Sequence, residues 1–491
     1  MRRVPLGIRL LPIAAVTVVL AACRGNVGGG SIPMPPDGIR SADATISPLA
    51  GRGIDKIKHV VIVVQENRSL NNLFYGFPGA KTVTYGLDSK NQKIALKPVG
   101  LKTDWDLTHN AQGFITACNG TGSIPGTDCR MNGFDKEGWT CGMPGKSACP
   151  IKYPPYSYVP HGETAPYFSM GEQYVLADEM YASNFDTSSF VSHQYIIAAQ
   201  ADKSVNYPTA NWGCPGVKQG AKPPGTDWIY TTNAQRSLYG QKIPVCFDYT
   251  TLADELDFVG LTWAFYSGRL SPDHIGKPCG GSGGIGPDYQ ESNGIWAAYQ
   301  AVKHICYGPD WNKDVFTPQT PSFFTNLQNG DFRSVTWVMP TCANSDHPAC
   351  NSDTGPSWVA SVVNAIGESK FWNSTAIFVF WDDYGGFYDS EPPAYVDYDG
   401  LGGRIPMLII SPYAKKGYVS HVHYEHGSIL RFIEDRFGLA TLSASDKRAK
   451  SPAQDSFNFN QKPRKFVPIK SKYGLNFFFH QPLDLRPPDT E

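Results

Sequence analysis

The 491-residue sequence has little charge and no excess of either sign. Lys and Arg number 43 against 44 Asp and Glu, a formal net charge of −1, and charged residues make up 18% of the chain. A nucleic-acid footprint needs a basic patch or an elevated pI, so this balance argues against a nucleic-acid partner. No two cysteines form a CxxC pair, which weighs against a zinc cluster or a thiol–disulfide redox motif. Internal repeats are absent. The apolar run LLPIAAVTVVLAA near the start is too short to span a bilayer comfortably. What is plentiful is Gly (49), Pro (39), Tyr (25) and Trp (11), the composition of a loop-rich globule and not of a disordered chain.

Arg2, Arg3 and Arg9 precede that apolar run, which closes on Leu-Ala-Ala-Cys, the layout of a secretory signal over residues 1–23. The ending resembles a bacterial lipobox. It implies a lipid anchor at Cys23 and an exported protein, either a periplasmic or cell-surface lipoprotein or a secreted one. Without Cys23, ten of the 11 cysteines remain, an even number in a chain read as exported, so disulfides are expected. Their pairing stays open, although Cys342 and Cys350 could close a short loop. Residues 24–53 are Gly- and Pro-rich without periodicity, as in a flexible linker. One domain is expected over 54–441, and the partly apolar extension 442–491 is expected to pack back on it.

Continuous apolar runs at Val60–Val64, Leu261–Ser267, Ser334–Pro340, Ala376–Trp381 and Ile405–Pro412 have the pattern of strands buried on both faces of a sheet. Between them, PSWVASVVNAIGES and GSILRFIEDRFGL return apolar residues at three- and four-residue spacing, which predicts helices. Strands alternating with helices give an α/β fold with a mostly parallel central sheet covered on both sides.

Ligands of such sheets sit beyond the carboxyl ends of the strands. The first run ends in Glu66 and Asn67, the fourth in Asp382 and Asp383. Three carboxylates and an amide gathered at one edge repel unless a cation neutralises them, and hard divalent cations prefer oxygen ligands. Either pair alone reads as a turn or a helix cap; their occurrence at two strand ends is what points to a metal.

IKHVVIVVQENRSLNNLFYGFPGA, DWDLTHN, SDHPA, FWDDYGGFYD, RIPMLIISPYAKKGYV and EHGSILRFIEDRFGL, six blocks in order from about Ile54 to Leu439, resemble the bacterial phosphoesterase family that contains non-haemolytic phospholipases C and an acid phosphatase branch. The resemblance implies an alkaline-phosphatase-like α/β/α fold with disulfide-stapled insertions. It implies one divalent metal ion, with Ca, Mg and Zn all open, on Glu66, Asn67, Asp382 and Asp383. It places a nucleophile that also touches the metal in NFDTSSFVSHQYIIAAQ, at Ser189, with Thr187 and Ser188 as rivals. His109 and His347 match positions implied to line the pocket, and Glu425 and His426 an acidic–His pair that supports the site from behind. His193 reads as a packing or hydrogen-bonding residue. Two departures bear on the substrate. Ser390 stands after Asp389 where phospholipase members commonly have His, and RSLNNLF replaces RSFDHYF.

The expected function is therefore an exported, metal-dependent phosphoesterase that hydrolyses phosphate esters through a phosphoseryl intermediate, of acid phosphatase or phospholipase C type, with phospholipid head groups among the candidate substrates. The segment from Asn132 to Gly162, rich in aromatics and Gly, either covers the pocket and sets specificity or is a stapled surface loop. The alternative is a catalytically silent binding lipoprotein on the same fold. A sulfatase on the related fold is conceivable, but such enzymes need a Cys or Ser in a C/S-x-P-S/A-R block, and the sequence has none.

Overall fold

A computed structural model describes residues 53–484 and 486, apart from 203, 209–212, 215–227, 232–235, 237–239, 269–296 and 317–318. Residues 1–23, expected to form a signal segment ending at Cys23, residues 24–52 of the expected linker, and Cys279 lie outside the described residues. None of the described helices is long and apolar enough to cross a membrane.

The large sheet is built from β1 (His59–Gln65), β2 (Val175–Tyr181), β3 (Trp263–Tyr266), β4 (Val315–Phe316), β5 (Val335–Val338), β6 (Thr375–Trp381), β7 (Arg404–Ile410), β8 (Tyr418–Ser420) and β9 (Tyr424–Glu425). Their order is β4-β3-β5-β1-β6-β7-β2-β8, with β9 also paired to β2. Only β7 runs against the rest, antiparallel to both β6 and β2. Because β2 lies two strands beyond β6, that single reversal leaves β1, β2, β5 and β6 all ending at one edge. All five apolar runs are strands of this sheet. VLADEMY of β2 is a further one, whose mid-strand Asp178 and Glu179 interrupt the apolar pattern.

Four helices show how the faces are covered: α1 (His161–Gln173), α2 (Ser189–Ala198), α3 (Gly355–Gly367) and α4 (His426–Phe437). Alternate strand residues point to opposite faces. Ile62, Trp337 and Phe378 lie side by side in the register of β1, β5 and β6. Trp337 donates its indole N–H to Ile196 O of α2, 3.3 Å, and Phe378 meets Phe432 of α4 at 5.0 Å between ring centroids. Three residues on and facing the other way, Trp381 meets Tyr167 of α1 at 4.9 Å, and α1 packs on α3. This is the α/β/α sandwich expected from the alternation of strands and helices.

Residues beyond 441 contribute Phe457, Phe459, Ile469 and Phe478 to the main core. Disulfides join Cys118–Cys129, Cys141–Cys149, Cys214–Cys246 and Cys342–Cys350, so the short loop foreseen between the last two is present. At the sheet edge, Arg404 Nε donates to Asp389 Oδ1 (2.8 Å), with both side chains buried. The rest of its guanidinium donates to Asp178 O (3.0 Å) and Lys81 O (2.9 Å).

On the periphery, His304 bridges Asp254 (2.9 Å) and Asp248 (3.0 Å). Asp254 also closes a capping box with Thr251. Burial alone would lower the His304 pKa, but the hydrogen bonds and charges of Asp254 and Asp248 outweigh it and raise it to about 9. A pKa above the unfolded value of about 6.5 gives stability that is fully present below that pH and is lost as pH rises through about 9. The melting temperature is expected to fall from pH 6.5 to 9.5 by more in the wild type than in His304→Gln. Equal slopes in thermal melts across that range would contradict the assignment.

Candidate active site

The parallel register sets the first part of the site. Gln65 lies opposite Trp381, so the next residue on each chain brings Glu66 beside Asp382, and Asn67 beside Asp383. Asp382 N donates to Gln65 O at 3.1 Å, and Asn67 N donates to Asp382 Oδ1 at 3.1 Å. Asp382 shares its parity with Phe378, so it points to the face covered by α2 and α4.

α2 supplies the second part. Ser189 opens this helix and His193 follows one turn later, and residues four apart share a helix face. Ser189 Oγ donates to Asp383 Oδ2 at 3.2 Å and accepts from Asn67 Nδ2 at 3.0 Å. His193 Nε2 lies 2.8 Å from Glu66 Oε1 and 3.8 Å from Asp382 Oδ2. Glu66, His193 and Asp382 form a buried group whose ligand atoms lie within 4.8 Å of one another, close enough to hold one metal ion. Sequence reasoning gave His193 a packing or hydrogen-bonding role. The four-residue step from Ser189 was the signal that it faces the same centre.

The rival hydroxyls point elsewhere. Thr187 Oγ1 donates to His109 O (2.7 Å) and Asp186 O (2.8 Å), and Ser188 Oγ to Asn206 O (3.3 Å). Thr187 has φ +50° and Asn67 φ +53°. Asn tolerates this left-handed region, whereas a β-branched Thr there is strained, and such strain gathers at functional sites. The turn at Thr187 aims Ser189 at Asn67 and Asp383.

His109 Nδ1–H donates to Leu107 O (2.7 Å), leaving Nε2 to accept from Asn67 Nδ2 (2.9 Å). The His347 ring stands 5.9 Å from that of His109, on the loop closed by Cys342–Cys350. Glu425 lies farther back, bound by Arg448 (2.7 Å), Ser445 Oγ (2.7 Å) and Ser183 Oγ (2.9 Å). It caps α4 and ties down the approach to the Ser189 loop. His426 Nδ1 accepts from Ser183 N at 3.4 Å. Part of the 132–162 segment lies against the site's walls. Thr108 N donates to Gly138 O and Thr140 N to Asp106 O, each 2.9 Å, and buried Tyr384 donates its hydroxyl to Glu137 Oε1 at 2.7 Å.

Electrostatics sharpen the picture. Burial, and then the charge of adjacent Asp382, push the Asp383 pKa well above the usual carboxylate range. Burial lowers His193 to about 4, against the pull of Asp382, and lowers His426 to about 4 in the same way. Both imidazoles are therefore neutral at pH 7, and neither offsets the carboxylates. Among the described residues no Lys or Arg pairs with Asp382 or Asp383. Asp382 Oδ2 and Asn67 Oδ1 are buried and accept no hydrogen bond. Buried oxygens lacking donors, gathered around uncompensated negative charge, fit a divalent cation. Glu66, Asn67, Asp382 and Asp383, with Ser189 beside them and His193 adding a nitrogen, are the residues that would hold it.

Polar and acidic groups gathered beyond the carboxyl ends of the strands of an α/β sheet stand where such a sheet binds its ligand. The sequence profile of the Phosphoesterase family matches residues 57–440; the chain belongs to that family. Similar curated proteins include a non-specific phospholipase C1 of Arabidopsis thaliana, 23% identical over 84% of this chain and 73% of that one. A phospholipase C A of Mycobacterium tuberculosis is 22% identical over 86% and 81%. A non-hemolytic phospholipase C of Burkholderia pseudomallei is 30% identical, but only over 23% of this chain and 20% of its own length. Among solved structures, the chain matches an alkaline phosphatase superfamily protein from Vibrio parahaemolyticus, 10% identical with a TM-score of 0.32 over 81% of this chain and 72% of that one.

The Gly-Gly turn after the paired carboxylates is set by close approach. Gly385 has φ +63°, and a Cβ there would stand 2.0 Å from Asn67 O. Gly76 has φ +75° with nothing within 4 Å of such a Cβ, so it isolates the backbone term. Gly76→Ala is expected to cost about 1 kcal/mol in urea unfolding, and Gly385→Ala about 3 kcal/mol or more. Similar losses for both would show that Asn67 is not held by the turn.

Proposed function

We propose that this protein is a metal-dependent phosphoesterase that hydrolyses phosphate esters through Ser189. The observation that carries the reading is the convergence of Ser189 Oγ on Asn67 Nδ2 and Asp383 Oδ2, beside the group of Glu66, His193 and Asp382.

A divalent ion bound there would favour the serine alkoxide and screen the charge of an incoming phosphate. The rest is the chain's own work. Asp383 accepts the Ser189 hydroxyl hydrogen bond and fixes the direction of attack on phosphorus. The start of α2 directs main-chain N–H groups and the positive end of the helix dipole toward the phosphate. As Ser189 Oγ bonds to phosphorus its proton passes to Asp383, the P–O ester bond breaks and the departing oxygen takes a proton. His109 or His347, in its imidazolium form, would supply that proton or hydrogen-bond the phosphate oxygens. Water attacking from the vacated side then releases phosphate, or a phosphorylated head group, and restores Ser189.

The names of the relatives favour phospholipids among the substrates, while the form of the Ser189 block favours simpler monoesters. The N-terminal segment supports export with a lipid anchor at Cys23, in the periplasm or at the cell surface.

The test compares p-nitrophenyl phosphate, p-nitrophenylphosphorylcholine and phosphatidylcholine as substrates, with and without chelator. Ser189→Ala is expected to lose activity by about 10³-fold or more, and chelation to abolish activity until a divalent metal is restored. Thr187→Val and Ser188→Ala are expected to retain a nucleophile. Hydrolysis of the first substrate alone selects a monoesterase. An active Ser189→Ala protein would refute the serine mechanism, and ligand binding without turnover of any ester would establish a silent binder.

A further inference from the structure

On the face of the sheet covered by α1, one buried carboxylate that the catalytic reading does not use joins three parts of the site. Asp346 Oδ2 accepts from Tyr167 Oη of α1 at 2.7 Å and from Trp381 Nε1 of β6 at 3.1 Å. Its main chain is held as well: Asp346 N donates to Gln65 Oε1 of β1 (2.9 Å), and Asp346 O accepts from Arg68 Nε (2.8 Å). Gln65 Nε2 donates in turn to Asn344 O at 3.0 Å. Arg68 also favours the ionised Asp346 carboxylate through its charge. Asp346, Gln65, Arg68, Tyr167 and Trp381 are all buried.

The sequence positions give this hub a use. Gln65 precedes Glu66, Trp381 precedes Asp382 and Asp346 precedes His347, and Gln65 stands opposite Trp381 in the register of β1 and β6. One residue thereby ties the loop closed by Cys342–Cys350 to both strands whose next residues would hold the ion. Moving that loop would break buried polar contacts that no water replaces. The group it carries is His347. In the other candidate acid, His109, both ring nitrogens are engaged: Nδ1–H donates to Leu107 O, and Nε2 accepts from Asn67 Nδ2, which also donates to Asp383 Oδ2 at 3.2 Å. A proton on His109 Nε2 would meet that N–H, so protonation of the leaving group falls to His347.

We infer that Asp346 is a positioning residue, which holds His347 in register with the ends of β1 and β6 so that this imidazole protonates the departing ester oxygen. The inference rests on the Ser189 reading above and assigns one of its proton transfers. In the first step Ser189 Oγ bonds to phosphorus, the P–O ester bond breaks, and imidazolium His347 gives its proton to the departing oxygen. In the second, attacking water returns a proton to His347, the P–Oγ bond breaks, and Asp383 gives its proton back to Ser189. Asp346 exchanges no proton and acts through geometry alone.

The test compares phenyl phosphate with p-nitrophenyl phosphate on the metal-loaded full chain. Phenolate, with a pKa of about 10 like a tyrosine hydroxyl, needs a proton as it departs, whereas p-nitrophenolate is a much weaker base and leaves without one. His347→Ala is expected to slow the first ester about 10²-fold and the second about twofold, and Asp346→Ala to slow them about tenfold and about twofold. In a His347→Ala background, Asp346→Ala is expected to add nothing. Tyr167→Phe removes one hydrogen bond without a change of charge and is expected to slow phenyl phosphate alone, about threefold; it carries the same test should Asp346→Ala fail to fold. Amide hydrogen exchange is expected to quicken over residues 342–350 in both variants and to stay unchanged over 183–189. Equal losses on the two esters, an undiminished effect of Asp346→Ala without His347, or unchanged exchange over 342–350 overturns the inference. Ser189→Ala should lose both esters alike, so a failed nucleophile shows there and leaves the contrast between leaving groups intact.

Discussion

The molecule is organised around buried negative charge at the ends of two adjacent parallel strands. Asp382 and Asp383 lie beside Glu66 and Asn67 because β1 and β6 pair in a register that continues one residue past Gln65 and Trp381. Taking carboxylates out of water is costly unless something replaces the lost solvation. Elsewhere at this edge the protein supplies a cation of its own: Arg404 holds Asp389, and Arg448 holds Glu425. For Asp382 and Asp383 it supplies amides, a hydroxyl and neutral imidazole. That division between neutralised and unneutralised acids fits an external cation, and the proposed chemistry depends on one.

The surrounding structure serves that geometry. One reversed strand, β7, brings Arg404 to the carboxyl edge, where it fixes the loop after the paired carboxylates. Two residues of the surrounding loops have positive φ, Asn67, which presents its own amide to Ser189, and Thr187, two residues before that serine. Gly385 and Gly386 let the chain pass against Asn67 and Leu107 where a Cβ would collide. The 132–162 segment braces the loop of His109 from outside, so that imidazole is held by contacts well separated from it in sequence.

Much of this could be read in the chain. Residues buried on both faces leave unbroken apolar runs, and five of them marked strands correctly. The direction of β7 was not legible, because a strand buried on both sides has the same composition whichever way it runs. β2 was missed because Asp178 and Glu179 stand in mid-strand, where Lys81, His421 and His423 meet them; no local pattern shows partners so distant. β4 has two residues, too few for any period. In the site, paired carboxylates at strand ends pointed to the same centre that the register assembles. The block pattern already favoured Ser189; that Thr187 and Ser188 turn their hydroxyls to main-chain oxygens was not legible, and the place of His193 needed the face of α2.

The bond between Cys342 and Cys350 ties one wall of the site to the oxidation state of two sulfur atoms. The loop that carries His347 is closed by that bond and by Ser352 Oγ, which donates to Ala343 O at 2.6 Å, and the end of the described chain clasps it, Asp484 Oδ2 accepting from Ala343 N and Arg486 Nη1 donating to Cys350 O. Reducing the bond would leave the wall to hydrogen bonds alone, so that the cleft would be firmest where thiols are kept oxidised.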